Sequence, residues 1–175
     1  MICDTIPTPI RHTSAKVSPM RVALALYQPD IAQNTGTLLR LGACLDVDVH
    51  IIHPAGFPFS RASLKRSGLD YLDHVTLLEH TGFAAFRDWL EQSRRRLVLL
   101  TTKTDQTVYE TRFEARDVLM LGRESAGVPR EVADLADLRV RIPMRQQVRS
   151  LNVAIAGAIV LGEALRQTGN FGSLS

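Results

Sequence analysis

Three stretches of this chain combine polar and glycine residues in a way that can handle an anion and a hydroxyl group. "NTGTLLR" places Asn34 and Arg40 six residues apart near the start of a helical pattern. That spacing does not put both on one helical stripe, so either they point different ways or Asn34 lies in the turn before the helix. "LGRESAGVP" sets Glu124 and Ser125 between Gly122 and Gly127, and a glycine loop lets a ligand approach the backbone closely. "IPMRQQVRSLN" presents Arg145 and Arg149 ahead of Ser150, Leu151 and Asn152, and the segment from Leu138 to Gly162 holds four arginines and no acid. Such a local bias suits an anionic ligand or a solvated face. Arg40 sits in the apolar run "LLRLGACL", and a guanidinium between leucines is often held by a partner.

Other chemistries lack their residues. The dinucleotide and phosphate-loop fingerprints G-x-G-x-x-G and G-x-x-x-x-G-K-[ST] do not occur. His50 and His53 lie at a strand end with no third ligand nearby, so no metal site is expected. Cys3 and Cys44 give neither a disulfide framework nor a zinc spacing, which points to a reducing, cytoplasmic compartment, and Cys44 is expected to pack within its helix. The 175 residues fit one domain, and a hydrophobic fraction of 45% with 22% charged residues is that of a soluble globular protein. A net charge of +3 advertises no polybasic tail. No apolar run reaches membrane-spanning length, and the N-terminus lacks the apolar region of a secretory signal.

The elements that must position these residues alternate strand with helix. Residues 1–19 carry three prolines and no periodicity, and read as a flexible arm or a start-site extension before Met20. Residues 20–170 read as a single domain. Strands are expected at "RVALALY", "VDVHIIHP", "RLVLLTT", "DVLMLG" and "LRVRIPM". Helices are expected at Asp30 to Asp46, at "FAAFRDWLEQ" with Phe83, Phe86 and Leu90 on one face, at "PREVADLA" with Pro129 in the first helical position, and from Leu151 onward. This alternation implies an α/β fold, a mostly parallel sheet flanked by helices. Ligands of such folds collect at the carboxyl ends of strands. The loops found there, "QPDIAQNTG", "TTKTD", "RESAGVP" and "RQQVRSLN", are the three stretches above plus one.

Together, "NTGTLLR", "LMLGRESAGVP" and "IPMRQQVRSLNVAIAGAIVLGEALRQ" resemble the three ordered motifs of the SPOUT methyltransferases, and more narrowly the group that methylates ribose 2′-hydroxyls in RNA. "SGLDYLDH" and "LLTTK" are similar to its small single-domain members, which act on the tRNA wobble nucleotide, C34 or a modified U34. The resemblance spans about Met20 to Gln167. It implies a C-terminal trefoil knot, a homodimer joined through the last helix, a tRNA anticodon stem-loop as partner, and S-adenosylmethionine as cofactor without a metal. By the same resemblance, the cofactor would be held at Leu100, Gly122, Ile142, Ser150 and Leu151, with Asn34, Arg40, Glu124 and Asn152 serving catalysis and Arg123, Arg145 and Arg149 facing RNA. This chain has Gly-Arg-Glu where close relatives often have Gly-Pro-Glu. It also differs between Met144 and Arg149, and both departures fall where RNA would sit.

A ribose hydroxyl is a poor nucleophile, whereas a sulfonium methyl is already activated, so alignment and proton removal are the protein's tasks. Guanidinium groups, with pKa above about 12, make poor free bases. The role expected of Arg40 is therefore a two-pronged grip on the phosphate beside the hydroxyl. Other readings compatible with this α/β pattern are methylation of another tRNA position or of ribosomal RNA, an RNA-binding protein without catalysis, and a small-molecule enzyme on a flavodoxin-like sheet.

Overall fold

Short apolar runs form the centre of a six-stranded sheet. The computed structural model describes residues 20–60, 70–145, 147 and 150–174. The N-terminal arm and Arg149 lie outside the described residues. The strands are β1 (Ala23–Tyr27), β2 (Val49–Ile52), β3 (Leu77–His80), β4 (Arg96–Leu100), β5 (Asp117–Leu121) and β6 (Leu138–Val140), in the order β3-β2-β1-β5-β4-β6. Every described strand pairing is parallel. β1, β2 and β5 are buried along their whole length, as strands covered on both faces must be.

Alternation along each strand divides the core in two. Leu24, Leu26, Val49, Ile51, Leu119 and Leu121 pack with α1 (Ala32–Leu45) and α4 (Val153–Thr168). Ala23, Ala25, Ile52, Val118 and Met120 pack against α2 (Phe83–Ser93) and α3 (Arg130–Asp134), through Phe86, Leu90 and Val132. Helix α4 is rich in β-branched residues and glycine, weak helix formers, so tertiary packing must hold it. A Cβ at Gly157 would stand 2.8 Å from a Leu38 methyl and 2.9 Å from a Leu121 methyl, so glycine lets α4 lie this close to α1 and β5 without moving those side chains.

Local details depart from expectation in three places. Pro129 is the N-cap of α3 rather than its first helical residue, because its ψ of 155° is extended while its carbonyl already accepts from Val132 and Ala133. Helix α4 begins at Val153, two residues later than expected, because Asn152 caps it: Oδ1 accepts from Ala154 N at 2.8 Å and Ile155 N at 3.3 Å. Cys44 is exposed rather than packed, since the buried stripe of α1 runs through Asn34, Thr35, Leu38, Leu39 and Gly42.

His50 of β2 and His80 of β3 share one hydrogen between Nδ1 and Nε2 at 2.9 Å, under Phe86 and Trp89. Burial, reinforced by His80 and Arg95, pushes His50 down to about 3, so it stays neutral in the fold. The unfolded chain takes up that proton at higher pH. Stability from His50 is therefore fully present above about pH 6.5 and is lost as pH falls toward about 3. The melting temperature should decline between about pH 7 and about pH 5, less steeply for His50→Gln. A flat profile in the wild type would contradict this.

Candidate active site

The reversal of strand order falls at β1 and β5, and the loops leaving β1, β4, β5 and β6 surround a cavity of about 870 Å³. This is the position that a doubly wound sheet reserves for ligands. The strand ends Leu100 and Leu121, with Ile142 just beyond β6, give it an apolar floor. Thr101, Lys103, Arg139 and Arg141 add polar groups, and Ser150, Leu151 and Asn152 close it from the start of α4.

A continuous run of hydrogen bonds ties the three polar stretches together at this cavity. The Asp30 N–H donates to Glu124 Oε2 at 2.8 Å. Asn34 Nδ2 donates to Glu124 Oε1 at 3.0 Å, and Asn152 Nδ2 donates to Asn34 Oδ1 at 2.9 Å. Asn152 uses its own Oδ1 to cap α4. Each amide thus gives through nitrogen and accepts through oxygen, which fixes its orientation. The network is part-buried, and its shared partners limit each amide to one arrangement.

The loop from Gly122 to Gly127 is closed by its backbone. Arg123 N donates to Gly127 O at 2.9 Å and Gly127 N to Arg123 O at 2.8 Å. Gly127 has φ +67°, a left-handed conformation natural to glycine. A Cβ on Gly122 would meet Gly127 C at 2.7 Å and Cα at 2.8 Å. Glycine is needed at position 122 by the crossing of the loop's own backbone, a reason the sequence did not reveal.

All five residues expected to hold the cofactor, Leu100, Gly122, Ile142, Ser150 and Leu151, line the cavity, as do Asn34, Arg123, Glu124 and Asn152. Asn34 is helical and nearly buried, facing Glu124. Arg40 points elsewhere: it is exposed, does not line the cavity, and its guanidinium lies 4.7 Å from the centre of the Tyr71 ring. Arg145 is exposed and also off the lining. Arg123 has a partner within the chain, Asp30, at 2.9 Å. Asp30 is the residue that the motifs did not single out. An acid directly before a helix reads as a helix-terminus device, and nothing local betrays a partner 93 residues away. Among the described residues, no group of three or more His, Cys, Asp or Glu could hold a metal ion, and no helix is long and apolar enough to cross a membrane.

The fold and site define a doubly wound α/β protein whose ligand cavity is built by three polar motifs. Residues 21–162 match the model of the SpoU rRNA Methylase family, and the chain belongs to that family. It is 59% identical over 146 residues to a tRNA (cytidine(34)-2′-O)-methyltransferase of Beijerinckia indica, covering 83% of this chain and 91% of that one. A solved structure described as giving structural insights into the 2′-OH methylation of C/U34 on tRNA superposes with a TM-score of 0.78 at 42% identity, over 86% of this chain and 97% of that one. The SpoU methyltransferase AviRb of Streptomyces viridochromogenes in complex with AdoMet superposes with a TM-score of 0.75 at 26% identity, over 86% of this chain and 59% of that one.

Proposed function

We propose that the chain is an S-adenosylmethionine-dependent methyltransferase acting on the ribose 2′-hydroxyl of tRNA nucleotide 34, a cytidine or modified uridine. The observation that carries this reading is the hydrogen-bonded run Glu124–Asn34–Asn152 at the mouth of a switch-point cavity. The residues present fit the cofactor. An apolar floor at Leu100, Leu121 and Ile142 suits an adenine ring, and the tight Gly122–Gly127 crossing presents backbone groups. When bound, it supplies a methyl group already activated on sulfur, and no metal is required. Asn34, Glu124 and Asn152 hold the loop and the α4 start in register, and Ser150 offers a hydroxyl at the rim. Arg40 grips the phosphate beside the hydroxyl, and the proton released on methyl transfer passes to that phosphate or to water. Similarity to the Beijerinckia indica protein and to the C/U34 structure supports the choice of nucleotide.

The finer architecture follows the same reading. Beyond β6, Arg141 N donates to Gln106 O and Val108 N to Arg141 O, after which the chain returns to pack α4 on α1 and β5. These bonds hold the two connections side by side, where membership of the family leads us to place a trefoil knot. Exposed Leu151 and Ile155, at 38% and 54% accessibility beside the cavity, support a homodimer buried through α4. Ile155→Glu should give monomer or aggregate on size-exclusion chromatography, and an unchanged dimer would count against this placement. We place the enzyme in the cytoplasm, where tRNA is modified.

Arg145 and Arg149 are assigned to RNA phosphate. Each alanine substitution should weaken tRNA binding, most at low salt, and lower the salt slope by about one. An unchanged slope would remove that residue from the RNA interface. The function itself is tested by methyl transfer from labelled cofactor to purified tRNA and, separately, to ribosomal RNA. Labelled tRNA and unlabelled ribosomal RNA are expected, and the reverse would shift the substrate to the one for which the family is named.

A further inference from the structure

One residue outside the three motifs grips three consecutive residues of the second. The Asp30 carboxylate accepts from Arg123 Nη2 at 2.9 Å and Nε at 3.2 Å, from Ser125 N at 3.2 Å, and from Ser125 Oγ. Between those two partners, Glu124 receives the Asp30 backbone N–H at 2.8 Å. Arg123 and Ser125 hold the Asp30 carboxyl down at about 2, so the contact is ionic at any pH at which an enzyme of this kind is assayed. Both Arg123 donors meet Oδ1 and both Ser125 donors Oδ2, and charge-assisted bonds are stronger than neutral ones.

Asp30 is itself held from behind. Gly56 N donates to Pro29 O at 2.9 Å, and a Cβ at Gly56 would stand 3.1 Å from both Asp30 Cα and Oδ1. The β1–α1 connection is thus pressed between the turn at Gly56 and the loop 123–125.

We propose that Asp30 is a positioning residue: it clasps Arg123 and Ser125 so that Glu124 stays aligned on Asn34 at the cavity mouth, and Arg123 serves as the strut of this clasp rather than as a phosphate contact. The inference rests on the methyl-transfer reading of the cavity. It separates Arg123, whose loop also holds Glu124, from Arg145 and Arg149, which the sequence sets in an acid-free segment.

The test compares wild type with Asp30→Ala, Asp30→Asn, Arg123→Ala, the double alanine variant, and Gly56→Ala, which touches Asp30 and no cavity group. Measured are kcat and KM for tRNA at saturating cofactor, the salt dependence of tRNA binding, and the melting temperature. A loosened loop misplaces Glu124 by fractions of an ångström, so kcat should fall about tenfold or more in Asp30→Ala and Arg123→Ala, below the melting transition of each. KM for tRNA should stay within about twofold and the salt slope should not change. The double variant should be no worse than either single, because both remove one clasp. Asp30→Asn, which still accepts but carries no charge, should recover part of the rate, and Gly56→Ala should lower kcat in the same pattern. Unchanged kcat in Asp30→Ala overturns the proposal, as does a loss that only tracks a lowered melting temperature. It is equally overturned if Arg123→Ala lowers the salt slope by about one while Asp30→Ala tightens tRNA binding, since Arg123 would then be a phosphate contact masked by Asp30. If the wild type itself transfers no methyl group to tRNA, the methyl-transfer reading fails and the proposal falls with it.

Discussion

Arg40→Ala is expected to lower methyl transfer about a hundredfold or more, the usual cost of losing a preorganised contact to the transition state. Affinity for S-adenosylhomocysteine should be nearly unchanged, because Arg40 stands outside the cavity lining. Its guanidinium carbon lies 4.7 Å from the centre of the Tyr71 ring, and six residues of helix set it about 120° around α1 from Asn34. On the proposed reading this group would meet the tRNA from outside the cavity, which leaves cofactor binding untouched. Arg40→Lys should be nearly as poor, since an ammonium does not reproduce the two-pronged grip of a guanidinium. Single-turnover methyl transfer at saturating tRNA, with calorimetry for the cofactor product, separates the two functions. Retention of most activity in Arg40→Ala would make the residue a structural partner of Tyr71.

Gly122→Ala should show the opposite pattern. The added Cβ would meet backbone rather than a movable side chain, at 2.7 Å and 2.8 Å from Gly127. The Arg123–Gly127 backbone bridge must then open, or β5 must shift at its end. Overpacking of this kind costs about 1–3 kcal/mol, and here it falls on the loop that lines the cavity. Cofactor affinity should drop roughly tenfold or more, while the sheet, buried along β1 and β5, still folds. Affinity within about twofold of wild type in a folded Gly122→Ala protein would show that the loop can yield without consequence.

The fold was legible where periodicity carries physical information. Nearly unbroken apolar runs at Ala23–Tyr27 and Asp117–Leu121 mark strands covered on two faces, and the strand–helix succession implies the parallel sheet. Polar loops at the strand ends pointed to the edge where the cavity lies. Asn34, Glu124 and Asn152 were recognisable as a set, although not their order of bonding. What the sequence withheld is long-range. Arg40 looks like a member of the Asn34 motif, yet helical geometry turns it to the other side, toward Tyr71. Asp30 looks like a helix-terminus acid, yet it closes on a loop 93 residues on. Gly122 looks like a ligand-approach glycine, and the nearest approach belongs to Gly127. Pairings of this kind depend on which strands become neighbours, which no local window contains.

The most direct test of the central claim removes the acceptor atom. Two tRNAs of identical sequence are compared, one with ribose throughout and one with a single 2′-deoxyribose at nucleotide 34, each incubated with the wild-type protein and labelled S-adenosylmethionine. Methyl transfer to the first, located at nucleotide 34 by nuclease digestion, and none to the second is the expected result. Equal labelling of both tRNAs would contradict it, because the methyl group would then be going to another atom.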